Sequence, residues 1–153
     1  MTTANALIDD FSLPATGGKD FQLLRTRGKP LVIYFYPKDD TPGCTTESEQ
    51  FRDLYAEFQQ VGCALVGISR DSVKSHERFK AKLGLPFDLL SDAEEQVCNQ
   101  FAVIKMKNMY GKQVRGVERS TFVIDAEGVL RREWRGVKVP GHAREVLDFV
   151  KLL

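Results

Sequence analysis

The run Leu31-Val32-Ile33-Tyr34-Phe35-Tyr36 carries no charged or amide side chain, and Pro37 stops it. A strand with one wet face alternates apolar and polar residues. One without alternation is covered on both faces, and proline cannot carry a hydrogen-bonded ladder onward. The chain therefore has to fold as a sheet with a layer on each side. Beyond the proline the pattern is helical: Phe51, Leu54, Tyr55, Phe58 and Val61 recur on one helix face, while Glu49, Arg52, Asp53, Glu57 and Gln59 fill the other. Thr41 is placed to cap this helix and Pro42 to open it, so Cys44 falls in the first turn.

That position bears on chemistry. Backbone N–H groups without helical partners and the positive end of the helix dipole favour an anion there, so the Cys44 pKa is expected to fall toward the reactive thiolate. Cys44 also precedes Phe51 by two turns on the side facing the sheet, which predicts partial exposure, open to a small polar substrate and closed to a large one.

Further along, Ala64 to Ser69 reads as a buried strand and Val73 to Leu83 as a helix with Val73, Phe79 and Leu83 inward. Phe87 to Leu90 reads as a short strand, and Asp92 can cap a helix through Val97, Cys98 and Phe101. Thr121 to Asp125, a turn at 126–128 and Val129 to Trp134 read as a hairpin, and a last helix from about His142 turns Val146, Leu147 and Val150 inward. Alternating strands and helices argue for parallel pairing. With 153 residues, 42% of them hydrophobic and 28% charged, the chain is expected to form one domain over 1–153. A net charge of +1 gives no reason to expect nucleic acid or a membrane as partner. The absence of a charged-then-apolar leader or a bilayer-length apolar run, and an odd count of three cysteines, predict a cytoplasmic protein in a reducing compartment.

The segment from Tyr36 to Glu47 resembles the peroxiredoxins, and within them the bacterioferritin comigratory protein or peroxiredoxin Q branch. The family pattern Pro-x-x-x-Thr/Ser-x-x-Cys is met by Pro37, Thr41 and Cys44, and the branch form Thr-Pro-Gly-Cys-Thr by residues 41–45. Asp10 to Gly18, Val66 to Ser72 and Arg119 to Asp125 extend the resemblance over essentially the whole chain. It implies an α/β fold, a thioredoxin-like mixed sheet flanked by helices, with no cofactor and no metal. If the strand after Arg119 runs antiparallel to 31–36, Arg119 faces the thiolate, and the family's catalytic arginine falls on this residue. The alternative is an arginine that merely pairs with Glu118 or Glu47. The activity implied is reduction of hydrogen peroxide and small organic hydroperoxides through a Cys44 sulfenic acid, with Thr41 and Arg119 aligning the substrate. The resemblance also gives Pro37 a shielding role and Glu47 the role of orienting Arg119.

One departure matters. Branch members with a resolving cysteine in the same helix carry it five residues after the first, where this chain has Glu49. Cys98 is the candidate replacement, although a cysteine on an apolar helix face is usually packed away, and Cys63 reads as structural. The expectation is a single-cysteine enzyme, monomer or weak homodimer, reduced by thioredoxin, glutaredoxin or glutathione. A redox sensor or binding protein on the same fold, or a two-cysteine peroxidase resolved by Cys98, are the alternatives. No Cys-x-x-Cys is present, which excludes a dithiol reductase, and neither the cysteines nor His76 and His142 have metal-ligand spacing. Both histidines read as packing or capping residues. The mixed basic and apolar stretch Lys105 to Arg115 reads as a solvated loop, with docking of an acidic reductant or another subunit as its functional alternative.

Overall fold

A computed structural model describes residues 5–153. In chain order the elements are β1 Ser12–Ala15, β2 Lys19–Gln22, a 3-10 turn Leu23–Thr26, β3 Leu31–Phe35, α1 Pro42–Gln60 and β4 Ala64–Ser69. They continue with α2 Val73–Leu83, β5 Asp88–Ser91, α3 Gln96–Gln100, β6 Ile104–Met109, β7 Lys112–Val117, β8 Ser120–Ile124, β9 Leu130–Arg135 and α4 His142–Val150. Among the described residues seven strands form one mixed sheet, ordered β2-β1-β5-β4-β3-β8-β9. Strand β3 runs parallel to β4 and antiparallel to β8, with Phe35 opposite Ser120.

All five residues of β3 are fully buried, and they divide between two cores. Leu31, Ile33 and Phe35 join Val97, Cys98, Phe101, Val103, Val117 and Phe122 on one side of the sheet. Val32, Tyr34 and Tyr36 join Cys44, Phe51, Phe58, Phe79, Val146, Leu147 and Val150 on the other, under α1, α2 and α4. This double cover is the reason the strand lacks alternation. Each large side chain taken out of water in this way contributes about 1.5–3 kcal/mol.

Helix α1 begins at Pro42 as the sequence predicts, with Thr41 at its N-cap. Of its apolar stripe, Val61 departs: it sits just past the last helical residue and stays 37% exposed. Helix α2 is capped by Ser72, whose hydroxyl accepts from the Ser75 N–H at 3.1 Å, and it ends on Gly84 in the left-handed conformation. Asp92 caps α3 from further back than a standard N-cap, accepting from the Val97 N–H at 3.2 Å and the Cys98 N–H at 2.6 Å. One element differs from the sequence reading, which takes Lys105 to Arg115 as a solvated loop, and another lies where that reading assigns none. The stretch Lys105 to Arg115 is a hairpin, β6 on β7, set off from the main sheet, and residues 12–22 form the edge hairpin β1–β2. Among the described residues no helix is long and apolar enough to cross a membrane.

Candidate active site

The end of β3 and the start of α1 supply one wall of the site. The Tyr36 N–H still donates to the Ile68 carbonyl at 3.1 Å, and Pro37 then turns the chain off the sheet. Within the connection Asp39 is buried, and its N–H donates to Asp71 Oδ2 at 2.8 Å. Thr41 occupies the N-cap without capping through its side chain, and its hydroxyl donates back to the Lys38 carbonyl at 2.8 Å. Cys44 sits in the first turn and is 1% exposed, deeper than the partial exposure the sequence suggests. Behind it Tyr34 shares a buried 2.9 Å hydrogen bond with Ser48 and stacks on Phe51 with ring centroids 4.7 Å apart. The strand thereby fixes the height of the first two turns of α1.

Arg119 comes from the opposite side, in the link between β7 and β8. Because β8 is antiparallel to β3, the start of one lies beside the end of the other, and the guanidinium lands over the helix N-terminus. Its Nη2 is 3.5 Å from Cys44 Sγ and its Nη1 donates to Glu47 Oε1 at 2.8 Å. Gly43 leaves room for this approach: a Cβ there would lie 3.1 Å from Nη2, close enough that the guanidinium would have to give way by a few tenths of an ångström. Glu47 is 1% exposed, its Oε2 is buried with no hydrogen-bond partner, and burial pushes its carboxyl up to about 7 against the pull of Arg119. The pairing with Glu47 that the sequence offered as an alternative therefore coexists with the contact to sulfur.

The three cysteines are free and buried, and the sheet separates two of them: Cys44 lies in the core on one face and Cys98 in the core on the other. Burial and the neighbouring Asp92 raise the Cys98 thiol pKa, and burial pushes the Cys63 thiol up to about 12. Neither environment favours a thiolate. His142 is buried, its Nε2 lies 2.7 Å from Thr121 Oγ1, and burial lowers its pKa to about 4.

Sequence reading missed one polar cluster. His76 is fully buried, with Nδ1 2.7 Å from Asp39 Oδ2 and Nε2 2.9 Å from the Leu90 carbonyl. Tyr36 and Ser75 also donate to Asp39, at 2.6 and 2.8 Å. Asp39, Asp71 and His76 bring ligand-type atoms within 4.8 Å of one another, and hydrogen bonds within the cluster already occupy them. The cluster ties α2 and β4 to the loop that carries Thr41.

A thioredoxin-type mixed sheet with an arginine set over a helix-N-terminal cysteine defines a class, the thiol-dependent peroxidases built on that fold. Residues 4–133 match the AhpC/TSA family, and the chain belongs to it. Among its relatives, Peroxiredoxin Bcp of Xanthomonas campestris pv. campestris is 54% identical over 142 residues, 93% of this chain and 89% of that one. A cysteine mutant of Xylella fastidiosa PrxQ superposes with a TM-score of 0.95 at 42% identity, over 99% of this chain and 97% of that one. The bacterioferritin comigratory protein of Xanthomonas campestris, solved in a study of its alkyl peroxide reduction activity, gives 0.89 at 53% identity, over 93% of this chain and 90% of that one. The protein is a peroxiredoxin of the Bcp and PrxQ kind.

Proposed function

We propose that this peroxidase reduces hydrogen peroxide and small organic hydroperoxides at Cys44, and that it works as a single-cysteine enzyme over residues 1–153 in the cytoplasm. The observation that carries the reading is Arg119 bridging Cys44 Sγ at 3.5 Å and Glu47 Oε1 at 2.8 Å. The sulfur attacks one oxygen of the peroxide in line with the O–O bond, and the guanidinium stabilises charge on the departing oxygen. With its proton committed to the Lys38 carbonyl, the Thr41 hydroxyl offers lone pairs to the hydroperoxide O–H and so orients it. Pro37 ends the strand and keeps water from the sulfur. The burial of Cys44 supports a narrow substrate and disfavours bulky ones.

The sulfenic acid formed is the reversible rung of cysteine oxidation and needs a thiol to reduce it. Placement of Cys98 across the sheet, together with its raised pKa, supports an external reductant of the thioredoxin, glutaredoxin or glutathione type over an internal disulfide. The test is intact mass with dimedone trapping after one equivalent of hydrogen peroxide, beside a Cys44→Ser control. Dimedone on Cys44 alone is expected; a Cys44–Cys98 disulfide would establish the two-cysteine route, and an unmodified Cys44 would refute the peroxidase assignment to this residue. Thr41→Val separates an enzyme from a slow redox sensor, because only the enzyme loses most of its rate.

A further inference from the structure

Holding Arg119 does not account for Glu47. A carboxylate that only oriented the guanidinium would gain from using both oxygens, as arginine forks and carboxylates commonly do. Here Oε1 alone is engaged, and Oε2 is buried with no partner. An ionised carboxylate with one bare buried oxygen is costly, whereas a protonated carboxyl is much less so. The charges around it point the same way. Arg119 is the cation that faces both Cys44 and Glu47. Tyr34, on β3, has its pKa pushed well up by burial, and His142, on α4, has its pKa lowered to about 4, so neither adds charge near neutral pH. One cation therefore balances one anion, and burial holds the Glu47 carboxyl at about 7.

We infer that Cys44 and Glu47 share one proton around Arg119, that this proton rests on Glu47 when Cys44 is the thiolate, and that Glu47 delivers it to the leaving oxygen of the peroxide. The inference rests on reading Cys44 as the attacking sulfur. In balanced form, Cys44–S⁻ and Glu47–COOH react with RO–OH to give Cys44–SOH, ROH and Glu47–COO⁻. The sulfur lone pair forms the S–O bond, the O–O bond breaks onto RO⁻, and RO⁻ takes the carboxyl proton. Sulfur is oxidised by two electrons and the peroxide reduced by two. The sulfenic acid is neutral, so Arg119 then pairs with the Glu47 carboxylate alone. When an external thiol restores Cys44–SH, its proton returns to Glu47. Glu47 lies one turn from Cys44 on the same helix face and on the same guanidinium, which places it to act directly or through one water.

Proton counting tests this. The reduced enzyme, in weak buffer with an indicator dye, is mixed with one equivalent of hydrogen peroxide, and protons taken from solvent are counted per Cys44 oxidised. Ultraviolet absorbance reports the thiolate of the resting enzyme, and dimedone trapping reports the sulfenic acid. Glu47→Gln keeps an acceptor for Arg119 but cannot carry the proton. At a pH where both proteins show the thiolate, wild type below about 7 is expected to take up almost none, and Glu47→Gln close to one. The oxidation rate of wild type is expected to fall as pH rises through about 7, and this limb is expected to vanish in the variant. Equal uptake by the two proteins overturns the inference, as does a resting wild type without thiolate below that pH. Should Glu47→Gln fail to fold, wild type alone decides: uptake must climb from none to one per Cys44 across the same pH, and flat uptake overturns it. Failure of dimedone trapping would sink the Cys44 reading itself, whereas trapping with equal uptake sinks only the role of Glu47.

Discussion

Asp39→Asn perturbs the buried cluster that anchors the loop ahead of Cys44, and its cost can be worked from the contacts. Asp39 is 7% exposed and accepts from Tyr36 at 2.6 Å and Ser75 at 2.8 Å, with His76 Nδ1 at 2.7 Å. Burial opposes its ionisation, but the hydrogen bonds from His76 and then Tyr36 outweigh this and hold its carboxyl below the usual range. His76 lies between two acceptors, the Asp39 carboxylate at Nδ1 and the Leu90 carbonyl at Nε2. Asparagine offers one oxygen to these donors and turns an NH2 group toward another. Removing one partner of a buried pair costs about 3–5 kcal/mol. Turning the new amide to suit His76 Nδ1 recovers part of that, leaving a net loss of about 2–4 kcal/mol. For a chain of this size the melting temperature should fall by about 6–12 °C. Urea unfolding at unchanged m-value measures the loss, and a cycle with His76→Gln isolates the pair, whose coupling should be about 1–3 kcal/mol. Because the loop carries Thr41, the rate of Cys44 oxidation by peroxide should fall as well. Stability within about 0.5 kcal/mol of wild type, or additive single variants, would refute the reasoning.

Gly67→Ala places a Cβ 2.8 Å from Tyr34 Cζ and 2.9 Å from Leu89 Cδ2, so it should cost about 1–3 kcal/mol and, by displacing the Tyr34 that supports Ser48, slow peroxide reduction. Wild-type stability in a denaturant titration would show that the strand yields instead. Cys63 and Cys98, buried and with raised thiol pKa values, should label with a thiol reagent only as the protein unfolds; mass mapping of a timed reaction decides, and early labelling of Cys98 contradicts its burial. His142, lowered to about 4 from 6.5, binds more protons when unfolded, so its share of stability is present above about 6.5 and is lost as pH falls through 4. That loss is up to about 3 kcal/mol and should flatten in His142→Gln; an unchanged acid slope in urea midpoints counts against it.

How much the sequence discloses depends on the range of each interaction. The strand 31–36, the Pro37 stop and the Thr41–Pro42 helix start are local patterns. They place Cys44 in the first helical turn, whereas the pairing of 120–124 with 31–35 that brings Arg119 over it is long-range, a condition in the sequence reading that the family resemblance supports. The hairpin β6–β7 escapes notice because the alternation Ile104-Lys105-Met106-Lys107 lasts only four residues and breaks at Asn108, and because its two-residue turn uses Tyr110-Gly111, both at positive φ, in place of the Asn-Gly or Asp-Gly pair that marks such turns. Asp39 and His76 stand 37 residues apart, and a buried donor-acceptor match at that separation leaves no periodic trace. Cys98 is the instructive case. Its apolar helix face is readable, but a helix does not disclose which side of the sheet it covers, and that side decides whether it can meet Cys44. Glu47 lies between these extremes. Its three-residue spacing from Cys44 places both on one helix face, which is legible, whereas its depth comes from Arg119 closing over it 72 residues later. A carboxyl that reads as a simple ion-pair partner thus becomes, by burial alone, a group able to hold a proton at the pH where the sulfur must give one up.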